Sequence, residues 1–156
     1  MGVSLDYCTT AAVPQGVTDA IEAEAHQLVP NHDWWAESLH FFDPGESDGR
    51  LYGGTKIYLI SYSTADGGDM EVDPDDDSLM AYRDTYFILE KLAEWSRKHG
   101  LTWQVDCAGE LIGTISTGQW DRQLREYVDG MKESFPWPPA FDEKVKAISV
   151  KYASRW

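Results

Sequence analysis

The sequence predicts an α+β domain with a mostly antiparallel sheet and helices packed on one face. Short segments that alternate apolar and polar residues are interspersed with segments whose apolar residues recur at helical spacing. Turn-forming residues separate neighbouring strand segments, as in hairpins. Hydrophobic residues make up 42% of the 156 residues, which is enough for one core. The expected order is β-α-β-β-α-β-β-α-β, in a single domain over residues 1–156.

The first part of the chain predicts a strand, a helix and a hairpin. Residues 3–9 alternate apolar and polar side chains and predict the first strand. Apolar residues at helical spacing predict an amphipathic helix over residues 17–28, which Pro30 should end. Residues 36–43 and 51–63 then predict two strands, because the segment between them, PGESDG, has the composition of a hairpin turn.

The middle of the chain predicts a loop, a long helix and a second hairpin. Residues 65–77 are rich in Gly and Asp without periodicity, which is typical of a solvated loop. A helix is expected over residues 78–99, with Gly100 in the position that ends many helices. Residues 101–107 and 110–117 predict the two strands of the second hairpin.

The last part of the chain predicts a third helix and a final strand. Thr117 is the expected N-cap of this helix, in which Trp120, Leu124 and Met131 share one face. Residues 147–153 alternate around three apolar side chains and predict a strand.

Two segments suggest an internal duplication of an α-β-β unit. Residues 49–53 and 109–113 both have the pattern G-x-L-x-G after the turn of a hairpin. A Trp precedes each pattern, although Trp35 lies fourteen residues before its pattern and Trp103 only six. The alternative interpretation is that these glycines mark bends in twisted strands.

The acidic residues are unevenly distributed. Residues 1–80 contain sixteen acidic residues against Arg50 and Lys56, so this part carries the whole net charge of −14. Such a field repels nucleic acid and anionic membranes and favours a basic protein partner. The alternative is that the charge only maintains solubility. Without an apolar segment of about 20 residues or a signal peptide, a soluble, cytoplasmic protein is expected.

The two cysteines, Cys8 and Cys107, lie far apart and have no metal-ligand spacing. Small buried thiols are expected, with a disulfide or a reactive thiol as alternatives. No metal and no cofactor is predicted, and the sequence does not indicate the oligomeric state.

An acidic run before the long helix is a candidate binding segment. The candidates in it are Asp73, Asp75, Asp76 and Asp77. Closely spaced carboxylates suit Ca²⁺, but the EF-hand pattern fails because Ser78 replaces its glycine and Asp84 its final glutamate. Solvated acids that complement the N-terminus of a helix are therefore the favoured explanation of the run.

The leading hypothesis is a non-catalytic acidic protein-binding domain, of inhibitor or immunity type, that docks a basic partner. Trp34 and Trp35 are candidate binding residues, and Trp34, Trp137 and Trp156 are expected to be exposed anchors.

The alternative hypothesis is a small enzyme with its site in a cleft between two pseudo-symmetric halves. Its candidate catalytic residues are His32, His99, Asp43 and Asp106. Histidine and carboxylate side chains act as acids and bases, but the sequence contains no catalytic motif that would bring these four together.

Overall fold

The computed structural model describes residues 3–45, 48–59, 72–133 and 141–153. It confirms the α+β class, with an antiparallel sheet and helices packed on one face. The described strands are β1 (Ser4–Thr9), β2 (Phe41–Phe42), β3 (Tyr52–Lys56), β4 (Thr102–Cys107), β5 (Glu110–Ser116) and β6 (Gln119–Trp120). The described helices are α1 (Gln15–Asn31), α2 (Pro74–His99), α3 (Arg122–Glu133) and α4 (Phe141–Lys151). The strand order is β2-β3-β1-β4-β5-β6.

The two central strands, β1 and β4, are buried on one face only. Both have the same alternating burial pattern, because successive side chains of a strand point to opposite faces. Their buried side chains are Leu5, Tyr7, Thr9, Trp103, Val105 and Cys107. These residues form the inner face, on which the helices pack.

The long helix α2 begins earlier than the sequence predicts. The side chain of Asp73 caps it by accepting a hydrogen bond from the backbone N–H of Asp75 (2.8 Å), and Pro74 occupies the first turn. The expected end is confirmed, since Gly100 has a φ of 68° and its N–H bonds to the carbonyl of Ser96. Among the described residues, no helix is apolar and long enough to cross a bilayer.

The solvated loop predicted over residues 65–77 is wrong at its C-terminal end. Asp76 and Asp77 belong to the first turn of α2 and are only 4% and 1% exposed. Acidic residues suit the first turn of a helix because they complement its dipole. Residues 60–71 lie outside the described part of the chain, so the rest of this prediction is untested.

The strand predicted over residues 147–153 is also wrong, because this segment includes the end of helix α4. Ile148 and Tyr152 lie one helical turn apart and are both buried, whereas Val150 between them is 77% exposed. A strand would have placed all three side chains on one face. The apolar alternation therefore does not mark a strand. Ile148 and Tyr152 belong to the buried side of a helix, and Val150 is an exposed apolar residue between them.

The third predicted helix begins at a different cap. Thr117 lies with Gly118 in the tight turn between β5 and β6, where its φ is 51°. Asp121 caps α3 instead, because its Oδ1 accepts a hydrogen bond from the N–H of Leu124 (2.8 Å).

The first predicted hairpin is shorter than expected. Of residues 36–43 only Phe41 and Phe42 form a strand, and its partner β3 ends at Lys56. Contrary to the sequence prediction, helix α1 does not stop before Pro30 but includes it in its last turn and ends at Asn31.

The glycines of the repeated pattern have similar roles in both copies. Gly49 and Gly109 have positive φ angles of 74° and 83°. Gly53 and Gly113 lie in strands where an added Cβ would approach another residue to 2.2 and 2.5 Å. Both pairs are explained by turns and close packing, and duplication stays a prediction.

Candidate functional site

The face of the sheet opposite the helices is the candidate site. The alternation that buries Leu5 and Trp103 turns the neighbouring polar side chains of β1 and β4 to the other side, where they are partly exposed. No described helix covers this surface, since the helices pack on the inner face. We call it the outer sheet face and define it by Asp6, Cys8, Phe42, Tyr52, Gln104 and Asp106.

Two carboxylates oppose each other at the centre of the outer sheet face. Asp6 on β1 and Asp106 on β4 are direct partners in the antiparallel register. Ser4 Oγ donates to Asp6 Oδ2 (3.0 Å), and Gln104 Nε2 donates to Asp106 Oδ1 (3.4 Å). Neither aspartate forms an ion pair with any residue that the structure describes. The pair is therefore a local concentration of negative charge.

A glycine makes room for the carboxylate of Asp6. Gly54 lies opposite Asp6 on β3, and a Cβ at this position would be 2.6 Å from Asp6 Oδ1 and 3.5 Å from the ring of Phe42. The carboxylate therefore lies against the backbone of β3, beside a Phe42 side chain that is 49% exposed. A shallow cavity of about 180 Å³ lies here, and its lining includes Asp6, Phe42, Tyr52 and Asp106.

Cys8 lies in the same cavity but is not an activated nucleophile. Burial raises the pKa of its thiol, and the nearby Arg50 charge offsets only part of that effect. Arg50 Nη2 donates to Cys8 Sγ (3.2 Å), while its Nε donates to the carbonyl of Thr9 (2.6 Å). Cys107 is buried, and both cysteines are free, so the structure shows no disulfide.

Three other aspartates are buried and bind groups from distant parts of the chain. Asp77 Oδ1 accepts from Trp35 Nε1 (2.7 Å) and from the backbone N–H of Leu59 (2.7 Å). Asp76 Oδ2 accepts from Lys151 Nζ (2.9 Å) and Tyr152 Oη (3.1 Å). These contacts tie the start of α2 to the segment between α1 and β2, to the residues after β3 and to the end of α4, which is a structural role.

The third buried aspartate, Asp84, holds His32 in place. Its Oδ1 lies 2.8 Å from His32 Nε2 and 2.7 Å from the Arg83 guanidinium. Its Oδ2 accepts from the backbone N–H of Trp35 (2.8 Å). Arg83 also donates to the carbonyl of Asp33. The segment between α1 and β2 is thereby fixed against α2.

Of the three tryptophans expected at the surface, the structure describes only Trp34, and this side chain is buried. Trp34 is 7% exposed and Trp35 is fully buried, so the expectation that Trp34 is an exposed anchor is wrong. Trp34 packs edge-on against Phe87, and its Nε1 donates to the carbonyl of Leu28 (3.3 Å). Trp137 and Trp156 lie outside the described residues. Of the acidic binding candidates, Asp73 and Asp75 are exposed, whereas Asp76 and Asp77 are buried.

The four candidate catalytic residues do not form one cleft. His32 and Asp106 line different cavities, and neither cavity includes His99 or Asp43. His99 ends α2, and Asp43 is exposed after β2, where its Oδ1 accepts from the N–H of Gly45 (2.8 Å). Within the described ranges, no three His, Cys, Asp or Glu side chains are placed to bind a metal.

The sequence reasoning missed Asp6, although a signal for it existed. Asp6 occupies a polar position in the alternation of the first strand, as Asp106 does in β4. Only the pairing of β1 with β4 shows that the two aspartates face each other.

No family model, curated protein or solved structure matches this chain.

Proposed function

We propose that the chain is a non-catalytic protein-binding domain, of inhibitor or immunity type, that docks a basic partner on its outer sheet face. The observation that carries this proposal is the opposition of Asp6 and Asp106, neither of which forms an ion pair with a described residue. Arg50, a described cation that contacts this face, is held by Cys8 and Tyr52. A lysine or arginine of a partner would donate hydrogen bonds to both carboxylates and relieve their repulsion.

The aromatic side chain of Phe42 suits the same occupant, whereas the ring of Tyr52 already faces the guanidinium of Arg50 (5.2 Å). Phe42 and Tyr52 lie beside the carboxylates in the lining of the shallow cavity. Aromatic rings attract cations through their negatively charged faces, and they pack against the methylene groups of lysine and arginine side chains. The cavity therefore combines charge and apolar surface for a basic side chain.

The folded chain neutralises only some of its acidic residues. Glu24 pairs with Lys98 (2.8 Å), and Asp76 pairs with Lys151 (2.9 Å), so cations of the second half do reach acids of the first. Asp6, Asp43 and Asp106 have no ion pair with a described residue. Negative charge thus persists on and beside the outer sheet face.

A matched pair of charge variants tests the proposal. The variant Asp6→Asn/Asp106→Asn removes two charges from the outer sheet face, and Asp129→Asn/Glu133→Gln removes two exposed charges from α3. Each variant and the wild-type chain are immobilised, and proteins from the source cells are captured at low salt and eluted with increasing salt.

We expect a basic protein to bind the wild-type chain and the α3 variant, but not the outer-face variant, and to elute as salt screens the charges. Equal capture by all three chains would show that only net charge matters and would contradict the proposal. Capture of no basic protein by the wild-type chain would also contradict it.

A further inference from the structure

A second cavity, of about 540 Å³, lies along α2 and shares no residue with the outer sheet face. Aromatic rings dominate its lining, which includes Tyr82, Tyr86, Phe87 and Phe141 beside His32. We call this cavity the aromatic groove. Its volume and its mostly apolar lining with a few polar groups are typical of sites for small molecules.

The imidazole of His32 is held in one orientation. It stacks on Phe87, with 4.1 Å between ring centroids and an angle of 18° between the planes. Its Nε2 lies 2.8 Å from Oδ1 of Asp84, which is 1% exposed. A ring fixed by both stacking and a buried hydrogen bond loses little further freedom when it binds a ligand.

The hydrogen bonds of Asp84 determine which nitrogen of His32 carries the proton. Asp84 accepts from the Arg83 guanidinium and from the backbone N–H of Trp35, which indicates an ionised carboxylate. An ionised carboxylate only accepts hydrogen bonds, so Nε2 of His32 is the donor. In the neutral ring, Nδ1 therefore has a lone pair and acts as an acceptor.

This acceptor has no donor among the residues that the structure describes. His32 Nδ1 makes no hydrogen bond to any described residue, and the side chain is 15% exposed where it lines the aromatic groove. The charge of Arg83 is balanced by Asp84, whereas the exposed Glu90 adds a negative charge to the lining. An anionic ligand is disfavoured for this reason.

We propose that the aromatic groove binds a small, uncharged heteroaromatic molecule that carries a ring N–H. The ring packs among the aromatic side chains, and its N–H donates to Nδ1 of His32. This site is independent of the proposed docking of a basic protein, because the two use different residues.

Indole and 1-methylindole test this proposal, because they differ only at the N–H group. Each is titrated into the full chain at mildly alkaline pH, and binding is followed by the ¹⁵N shifts of the histidine ring and the methyl and amide shifts of the groove. We expect indole to bind about fivefold more tightly than 1-methylindole, since one net hydrogen bond contributes roughly this factor. Only indole should shift the Nδ1 resonance of His32.

A variant at His32 then tests whether the difference in affinity between the two compounds depends on this side chain. In His32→Phe the two compounds should bind equally, whereas His26→Phe on α1 should keep the wild-type preference. Equal affinity of both compounds for the wild-type chain would overturn the proposal without any variant, as would shifts confined to residues outside the groove. The variant Asp6→Asn/Asp106→Asn should keep indole binding, so failure here and failure of the proposed function are distinguishable.

Discussion

Asp6 and Asp106 lie directly opposite each other on neighbouring antiparallel strands, and neither forms an ion pair with a described residue. Like charges at such positions destabilise a sheet. A pair of this kind at the centre of an uncovered face is consistent with a surface that becomes neutral when a partner binds. The repulsion between Asp6 and Asp106 also leads to a prediction that can be tested on the isolated protein.

Replacing Asp106 by Asn should stabilise the isolated protein. The change removes the repulsion with Asp6, and we expect the free energy of unfolding to rise by about 0.2–1 kcal/mol, the range measured for cross-strand pairs. Urea unfolding at low salt measures this. Asp129→Asn is the control, because it changes the net charge equally on α3. A gain of the same size in both variants would indicate a general charge effect.

Replacing Asp84 by Ala should be strongly destabilising. Its carboxylate accepts from His32, Arg83 and the backbone of Trp35, so the change leaves buried donors without a partner. We expect a loss of about 3–5 kcal/mol, as when one member of a buried ion pair is removed. The exposed Asp75 provides the control Asp75→Ala. A loss no larger than that of the control would show that Asp84 does not hold this segment.

Glu24 should stabilise the fold through the indole of Trp95. Trp95 is fully buried, and its Nε1 donates to Glu24 Oε2 (2.7 Å). Glu24→Ala should cost about 1–3 kcal/mol because it removes the acceptor of a buried donor, whereas Glu24→Gln keeps an acceptor and should cost less. Equal losses for the two variants, measured by urea unfolding, would contradict this.

Glu24 should also contribute to the loss of stability in acid. Hydrogen bonds from Lys98 and Trp95 lower the pKa of its carboxyl in the folded chain. As the pH falls, Glu24 is therefore protonated in the unfolded chain before it is protonated in the folded chain. Its contribution to stability is present above the ordinary pKa of 4.5 and is lost as the pH falls below that value. Unfolding measured between neutral and acidic pH should show a smaller change for Glu24→Gln than for the wild-type chain.

Tyr7 should make the fold sensitive to alkali. Burial raises the pKa of its hydroxyl in the folded chain. Above about pH 10 the unfolded chain loses this proton while the folded chain keeps it, so stability falls as the pH rises. Tyr7→Phe should show a shallower fall than the wild-type chain or the control Tyr86→Phe, which changes an exposed tyrosine. Parallel curves for all three would contradict this.

The hairpin of β4 and β5 and the end of α2 could be predicted because their signals are local. The strands flank Ala108 and Gly109, which both have positive φ angles, as two-residue hairpin turns require. Gly100 ends α2 in the left-handed conformation that glycine adopts without strain. In both cases the residues that determine the structure are adjacent in sequence.

The features that could not be predicted depend on distant residues. The burial of Asp77 requires Trp35 as its hydrogen-bond donor, and the burial of Asp76 requires Lys151. The spacing of Ile148 and Tyr152 fits a strand as well as a helix, and packing decides between them. The opposition of Asp6 and Asp106 depends on strand order, which no local pattern contains.

The location of a bound basic partner tests the proposed function most directly. The protein recovered with the wild-type chain is titrated into the ¹⁵N-labelled chain, and amide shifts are followed at low and high salt. We predict that the largest changes fall on β1, β4 and the start of β3, around Asp6 and Asp106, and that they fade as salt increases. Changes confined to α3 or α4, or changes that salt leaves unaltered, would show that the outer sheet face is not the docking surface.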